Sequence, residues 1–110
     1  MTTLTFVSRT DNTMNFADTT SSANQDTDLD SKGNTIGYDS TYVTTTAAGA
    51  TADAALAIDG GFLYATFTTG DGQNWSGEVT GGTGKFKGAT GTVTATAKST
   101  TELEVTVDYS

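Results

Sequence analysis

Thr92–Tyr109 reads TVTATAKSTTELEVTVDY, and this stretch decides the fold class. Glu102, Glu104, Thr106 and Asp108 alternate with Leu103, Val105, Val107 and Tyr109. A period of two places one polar and one apolar face on an extended chain, as in a strand with one side against a core. Just before it, Thr92, Thr94, Thr96 and Lys98 alternate with Val93, Ala95 and Ala97, and Ser99–Thr101 forms the link. Two alternating runs joined by a short polar link make a β-hairpin.

Working towards the N-terminus, the same signal recurs. WSGEVT (75–80) reads as a strand, entered through the turn GDGQ. FLYATFTT (62–69) and ATADAALAID (50–59) flank Gly60-Gly61, a strong hairpin turn. TIGYDSTYVTT (35–45) is a further strand, and Thr2–Arg9 is the first. Met14 and Phe16 suggest a short second strand, and the polar stretch Asp18–Asn34 reads as a long loop. The total is about eight short strands with close turn signals, which points to an all-β sandwich or barrel in one domain spanning residues 1–110.

Composition narrows the chemistry. The 110 residues carry no Cys, no His and no Pro. Thiolate nucleophiles and disulfides are excluded, and so are the commonest general base near neutral pH and the commonest transition-metal ligand. About a quarter of the chain is threonine, a β-branched residue suited to pleated, half-exposed surfaces. The net charge of -8 repels phosphate backbones and anionic membranes, so neither nucleic acid nor a membrane is the expected partner. The start, MTTLTFVSRTDNTMNF, lacks a basic segment followed by an apolar run. The expectation is therefore a cytoplasmic protein, with a mature secreted form left open.

The segment Gly81–Gly91, GGTGKFKGATG, invites comparison with phosphate-binding loops and fails it. Val79 stands where the first P-loop glycine belongs, Phe86 follows the lysine, and Lys87 replaces the third glycine of the dinucleotide fingerprint. It reads instead as a glycine-shaped connection whose Phe86 plugs a core. GEVTGGTGKFKGATGTVTATA resembles the Gly-Gly-x-Gly-x-Phe-x-Gly-Ala-x-Gly signature of the allene oxide cyclase and dirigent-protein superfamily. GNTIGYDSTYV and DGGFLYATF resemble that superfamily's third and central strands, and the acidic DTDLDSKGNTIG looks most like its bacterial spirotetronate-cyclase branch. The resemblance implies a closed, antiparallel, eight-stranded barrel with an apolar lumen. It also implies cofactor-free ring closure of an unsaturated polyketide or lipid, a cyclase or isomerase of biosynthesis, and a homo-oligomer, dimer or trimer. Ala89-Thr90-Gly91 stands where many dirigent proteins have Ala-Arg-Gly, so their arginine chemistry does not transfer.

Candidate site residues follow from the alternation. Tyr38, Tyr42, Tyr64 and Trp75 are the aromatic candidates for lining a lumen, beside Val93 and the small Ala95 and Ala97. Such a pocket would confine a hydrophobic small molecule without cofactor or metal, and tyrosine hydroxyls would polarise a carbonyl. Of the carboxylates, Asp39 and Glu78 fall mid-strand; one facing the lumen would have a raised pKa and could act as acid or base, and alternation puts Glu78 outside. Asp26, Asp28 and Asp30 are spaced like the first calcium-loop ligands, but Ser31 and Gly37 occupy the positions of the loop's glycine and its bidentate Glu. A solvated acidic loop is the plainer reading there. Opposed to the enzyme stands a non-catalytic ligand-binding or structural barrel, its interior filled by side chains.

Overall fold

The alternation seen in Thr92–Tyr109 extends around a closed ring of strands. In a computed structural model describing all residues, Met1–Ser110, eight strands follow one another: β1 (Thr2–Asn15), β2 (Ser21–Leu29), β3 (Thr35–Thr46), β4 (Gly49–Ile58), β5 (Gly61–Thr69), β6 (Asn74–Gly82), β7 (Gly91–Ala97) and β8 (Glu102–Tyr109). Each pairs antiparallel with its sequence neighbours, and β1 pairs with β8 to close the barrel. Closure leaves no unpaired strand edge, which removes the usual template for aggregation.

The hairpin of β7 and β8 sets the facing. Val93 lies opposite Val107 and Ala95 opposite Val105, all four buried, while the threonines of β7 are exposed. On β4 and β5, Ala54 faces Ala65, Ala52 faces Phe67, and Leu56 faces Leu63. Small side chains opposed to small side chains leave the middle of the barrel incompletely filled. Glu78 is exposed, as the alternation predicts.

The ends of the barrel differ. A short 3₁₀ turn, Gly84–Phe86, connects β6 to β7 and drives the Phe86 ring inward, 2% exposed and edge-on to Tyr109 at 5.4 Å. Gly84 has φ +59, and a Cβ there would overlap the Gly60 carbonyl, so this turn requires glycine. The connections β2–β3, β4–β5 and β6–β7 share this plugged end. The other four connections surround the opposite end.

The structure corrects the reading of the N-terminal third. β1 is one strand of 14 residues with a bulge between Thr10 and Asn12, so Met14 extends the first strand and Phe16 lies beyond its end. The second strand is Ser21–Leu29, inside the stretch expected to be a loop. Its period-two signal escapes a hydrophobicity reading because both faces are polar: Asn24, Asp26 and Asp28 on one, Gln25 and Thr27 on the other. Three aspartates stand at the turns instead. Asp18 accepts hydrogen bonds from the backbone N–H of Thr20 and Ser21, Asp30 from Lys32 and Asn34, and Asp71 from Gln73 and Asn74. Side-chain carboxylates that bind nearby N–H groups fix tight turns.

Candidate active site

A cavity of about 100 Å³ occupies the barrel between the Phe86 plug and the opposite end. Its walls divide by strand. Strands β4 to β8 contribute an apolar arc that includes Ala52, Ala54, Ala65, Leu63 and Val105. Strands β1, β2 and β3 contribute the polar arc: Ser8 and Thr10, Asn24 and Asp26, Asp39 and Thr41. Thr10, Asn24, Thr41, Val43, Trp75 and Leu103 are half-buried and mark the mouth. No lysine or arginine lines the space.

Register brings the carboxyls together. Asp26 on β2 lies directly opposite Asp39 on β3, and Asp28 lies opposite Ser8 on β1 and Gly37 on β3. Residues directly opposed across an antiparallel pair have adjacent side chains on one face. Asp26 and Asp39 are 3% and 7% exposed, and Asp28 is fully buried. The Ser8 hydroxyl donates to Asp39 Oδ2 at 2.9 Å. Asp26 Oδ1 and both Asp28 oxygens have no hydrogen-bond partner when all three groups are ionised, because carboxylates only accept.

Protonation resolves most of this. Burial pushes the Asp26 carboxyl up to about 8, and its hydrogen bond with Asp39 and that neighbour's charge act in the same direction. Burial pushes Asp39 up to about 7, with Asp28 reinforcing the rise. Asp28 is also raised, by burial first, with Asp39 and Ser8 opposing through hydrogen bonds. The directions describe a chain in which Asp26 donates to Asp39 and Asp39 to Asp28. Removing a carboxylate from water disfavours its charged form, and like charges close together cannot all ionise at once.

The sequence candidates fall in two groups. Trp75 and Val93 line the cavity, with Trp75 at the mouth, edge-on to Phe67 at 5.4 Å. Ala95 is buried on the inner face and Ala97 is half-buried near the end of β7. Tyr38, Tyr42 and Tyr64 stand on the outer wall, 54%, 45% and 38% exposed. The inner face of β3 is Asp39, Thr41 and Val43, and that of β5 is Leu63, Ala65 and Phe67, so parity turns all three tyrosines outward. Their hydroxyls do not reach the lumen, and the polar groups inside are carboxyls. Outside, Phe62 and Tyr64 stack at 6.2 Å, and Phe16 packs against Tyr42.

Asp26, Asp28 and Asp30 do not form a loop site. The first two point into the barrel, whereas Asp30 holds the β2–β3 turn, so the three do not share one loop. In the sequence Asp39 stands only as a mid-strand carboxylate that would act if it faced the lumen, and choosing Tyr38 and Tyr42 for the lumen puts Asp39 on the other face; the structure reverses this. The inward role of Asp26 and Asp28 was missed, although the Asn24-Asp26-Asp28 alternation was a usable signal.

No protein-family model and no curated protein matches the chain. Among solved structures, pyocyanin demethylase has the same barrel, with a TM-score of 0.81 over 99% of this chain and 100% of that one, at 17% identity. At that identity the likeness concerns the fold. No helix here is long and apolar enough to cross a membrane.

Proposed function

We propose that this barrel is a cofactor-independent acid–base enzyme, which takes a ring-sized part of a small organic molecule into its lumen and moves a proton on it. The carrying observation is the Asp26–Asp39 pair, set face to face on the wall of an apolar cavity. With values of about 8 and 7, the pair holds one proton at slightly alkaline pH. It then presents a carboxylic acid beside a carboxylate, a donor and an acceptor ready for proton transfer in both directions. Asp26 would protonate a carbonyl or unsaturated carbon, and Asp39 would accept the proton released from the adjacent carbon. A substrate filling the lumen displaces water from the carboxyls, and the apolar arc holds it close to the reacting geometry.

Ring closure and isomerisation both belong to this class, which keeps the cyclase expectation as one form of the proposal. Size limits it: an apolar cavity of about 150 Å³ holds benzene, so about 100 Å³ takes a small ring or a branched end. The remainder of a longer polyketide or lipid would leave through the mouth past Trp75. The glycine segment that resembles allene oxide cyclases and dirigent proteins builds the plugged end, remote from the mouth, so it supports a relationship of fold. That pyocyanin demethylase is an enzyme on the same barrel is in keeping with catalysis.

The test uses small cyclic ketones such as cyclopentanone. Binding should raise the melting temperature, and NMR in D₂O should show faster deuterium exchange beside the carbonyl than in buffer. The rate should follow a bell with limbs near pH 7 and 8, and should collapse in Asp26→Asn and Asp39→Asn. Ketones that bind but exchange at the buffer rate would overturn the catalytic reading and leave a ligand-binding barrel.

A further inference from the structure

The carboxyl cluster lacks something the chain does not supply. Buried carboxyls normally pair with a cation or accept several hydrogen bonds, since an uncompensated buried charge is strongly unfavourable. Here all five basic residues, Arg9, Lys32, Lys85, Lys87 and Lys98, are exposed; Arg9 pairs with Asp11 and Lys85 with Asp59. Asp26 lines the cavity, is 3% exposed and, when ionised, has an oxygen that receives no hydrogen bond from the chain. The groups facing it are Thr10 from β1, Asn24 and Asp28 on its own strand, and Asp39 and Thr41 from β3, with Asp11 behind the wall. Across the lumen β4 to β8 offer only apolar side chains.

We infer that the lumen selects an organic cation: a small ring or branched hydrocarbon bearing a protonated nitrogen, with its N–H groups on the Asp26 carboxyl. Its body lies among Ala52, Ala54 and Ala65, with Trp75 at the mouth. Anions meet three carboxyls and a chain of net charge -8, and are excluded. This inference rests on the lumen being the binding site, as proposed above, and not on which proton transfer follows. An ammonium group favours ionised Asp26, so binding expels a proton from the cluster at neutral pH.

Three matched probes separate the possibilities: cyclopentylamine, cyclopentanol and cyclopentanecarboxylate, measured by calorimetry and melting at pH 6, 7 and 8. The amine should bind at least tenfold more tightly than the alcohol at pH 8, and more tightly at pH 8 than at pH 6. Calorimetry in buffers of different ionisation heat should show proton release, and the carboxylate should not bind. Asp26→Asn should bring amine and alcohol together and abolish proton release. If that variant does not fold, Asp39→Asn, which leaves Asp26 in place, should keep the preference for the amine with less proton release, and equal binding of amine and alcohol by it would overturn the inference. Alcohol binding as tightly as amine at pH 8 would overturn the inference and leave the acid–base lumen standing. A melting shift with calcium or sodium in place of the amine would also overturn it, marking a metal-ion site. Failure of all three probes, together with no response to cyclopentanone, would remove both readings.

Discussion

Raising the pH from 6 to 8 should destabilise this barrel by about 2–4 kcal/mol, a large share of an ordinary folding free energy. A carboxyl whose pKa is raised by folding binds its proton more tightly in the native state than in the unfolded chain. Its contribution is fully present below the unfolded value of about 3.9 and is lost progressively as pH climbs through the folded value. Asp26 at about 8 and Asp39 at about 7 place the upper part of that loss between pH 6 and 8. Integrating proton binding over this window at about 1.4 kcal/mol per proton per pH unit gives about 2.3 kcal/mol for Asp26 and about 1.4 for Asp39. Water reaching the carboxyls through the mouth screens part of this, which sets the lower bound. The chain has no histidine, so no side chain with an ordinary pKa near 6.5 obscures the effect. Urea unfolding at constant ionic strength, followed by the single tryptophan, Trp75, measures it directly. With a slope of about 1–2 kcal/mol/M, the midpoint should fall by about 1–4 M. Asp26→Asn should reduce the drop to about 1 kcal/mol, the part belonging to Asp39. A midpoint that stays level or rises between pH 6 and 8 would refute the account, because the carboxyls would then be hydrated and ionised throughout.

Two further outcomes test the frame around the site. Phe86→Ala should cost about 3–5 kcal/mol with an unchanged urea slope, since the ring is 2% exposed and closes one end of the barrel; a loss below about 1 kcal/mol would mean the end seals without it. Calcium should give no chelator-reversible melting shift, because Asp30 is engaged in the β2–β3 turn while Asp26 and Asp28 face inward; such a shift would show a cation site the side chains do not display.

Most of the barrel was legible because most of its strands are one-sided. In β4, β5, β7 and β8 the inward residues are Ala, Leu, Ile, Phe and Val, and the outward ones are mainly Thr, Glu and Asp. The count of eight came from two errors that cancel, one strand divided at the bulge after Thr10 and another overlooked at Ser21–Leu29. A bulge inserts one residue without ending the pairing, and alternation alone does not distinguish that from a turn. The tyrosines were misplaced for a related reason. Parity states which residues share a face but not which face is inside, and on β3 the aromatic face is outside while the inner one carries Asp39.

The site was hidden by the property that makes it a site. Apolar alternation announces a strand only where the interior is apolar, and β2 lines the part that is not. The turn chemistry around Asp30–Asn34 marks the hairpin but not the register that makes the site. Asp30 holds the N–H groups of Lys32 and Asn34, and Gly33 has φ +82, a combination that makes this segment a tight hairpin. Counting outward from that turn pairs Leu29 with Thr35 and would put Asp26 opposite Tyr38; an irregularity between Asp28 and Leu29 shifts the register by one residue, which sets Asp28 opposite Gly37 and Asp26 opposite Asp39. Asp39 belongs to a strand that also carries Tyr38, Tyr42 and Val43, so a paired carboxyl there must face either solvent or a core. With the tyrosines and Asp39 on opposite faces, one of the two sets had to be inside. The structure chose the carboxyls, at an energetic disadvantage that packing alone does not require. A barrel of this size could have filled the three positions with valine. That it keeps Asp26, Asp28 and Asp39 in an apolar interior is the strongest physical reason to expect a ligand or a proton there.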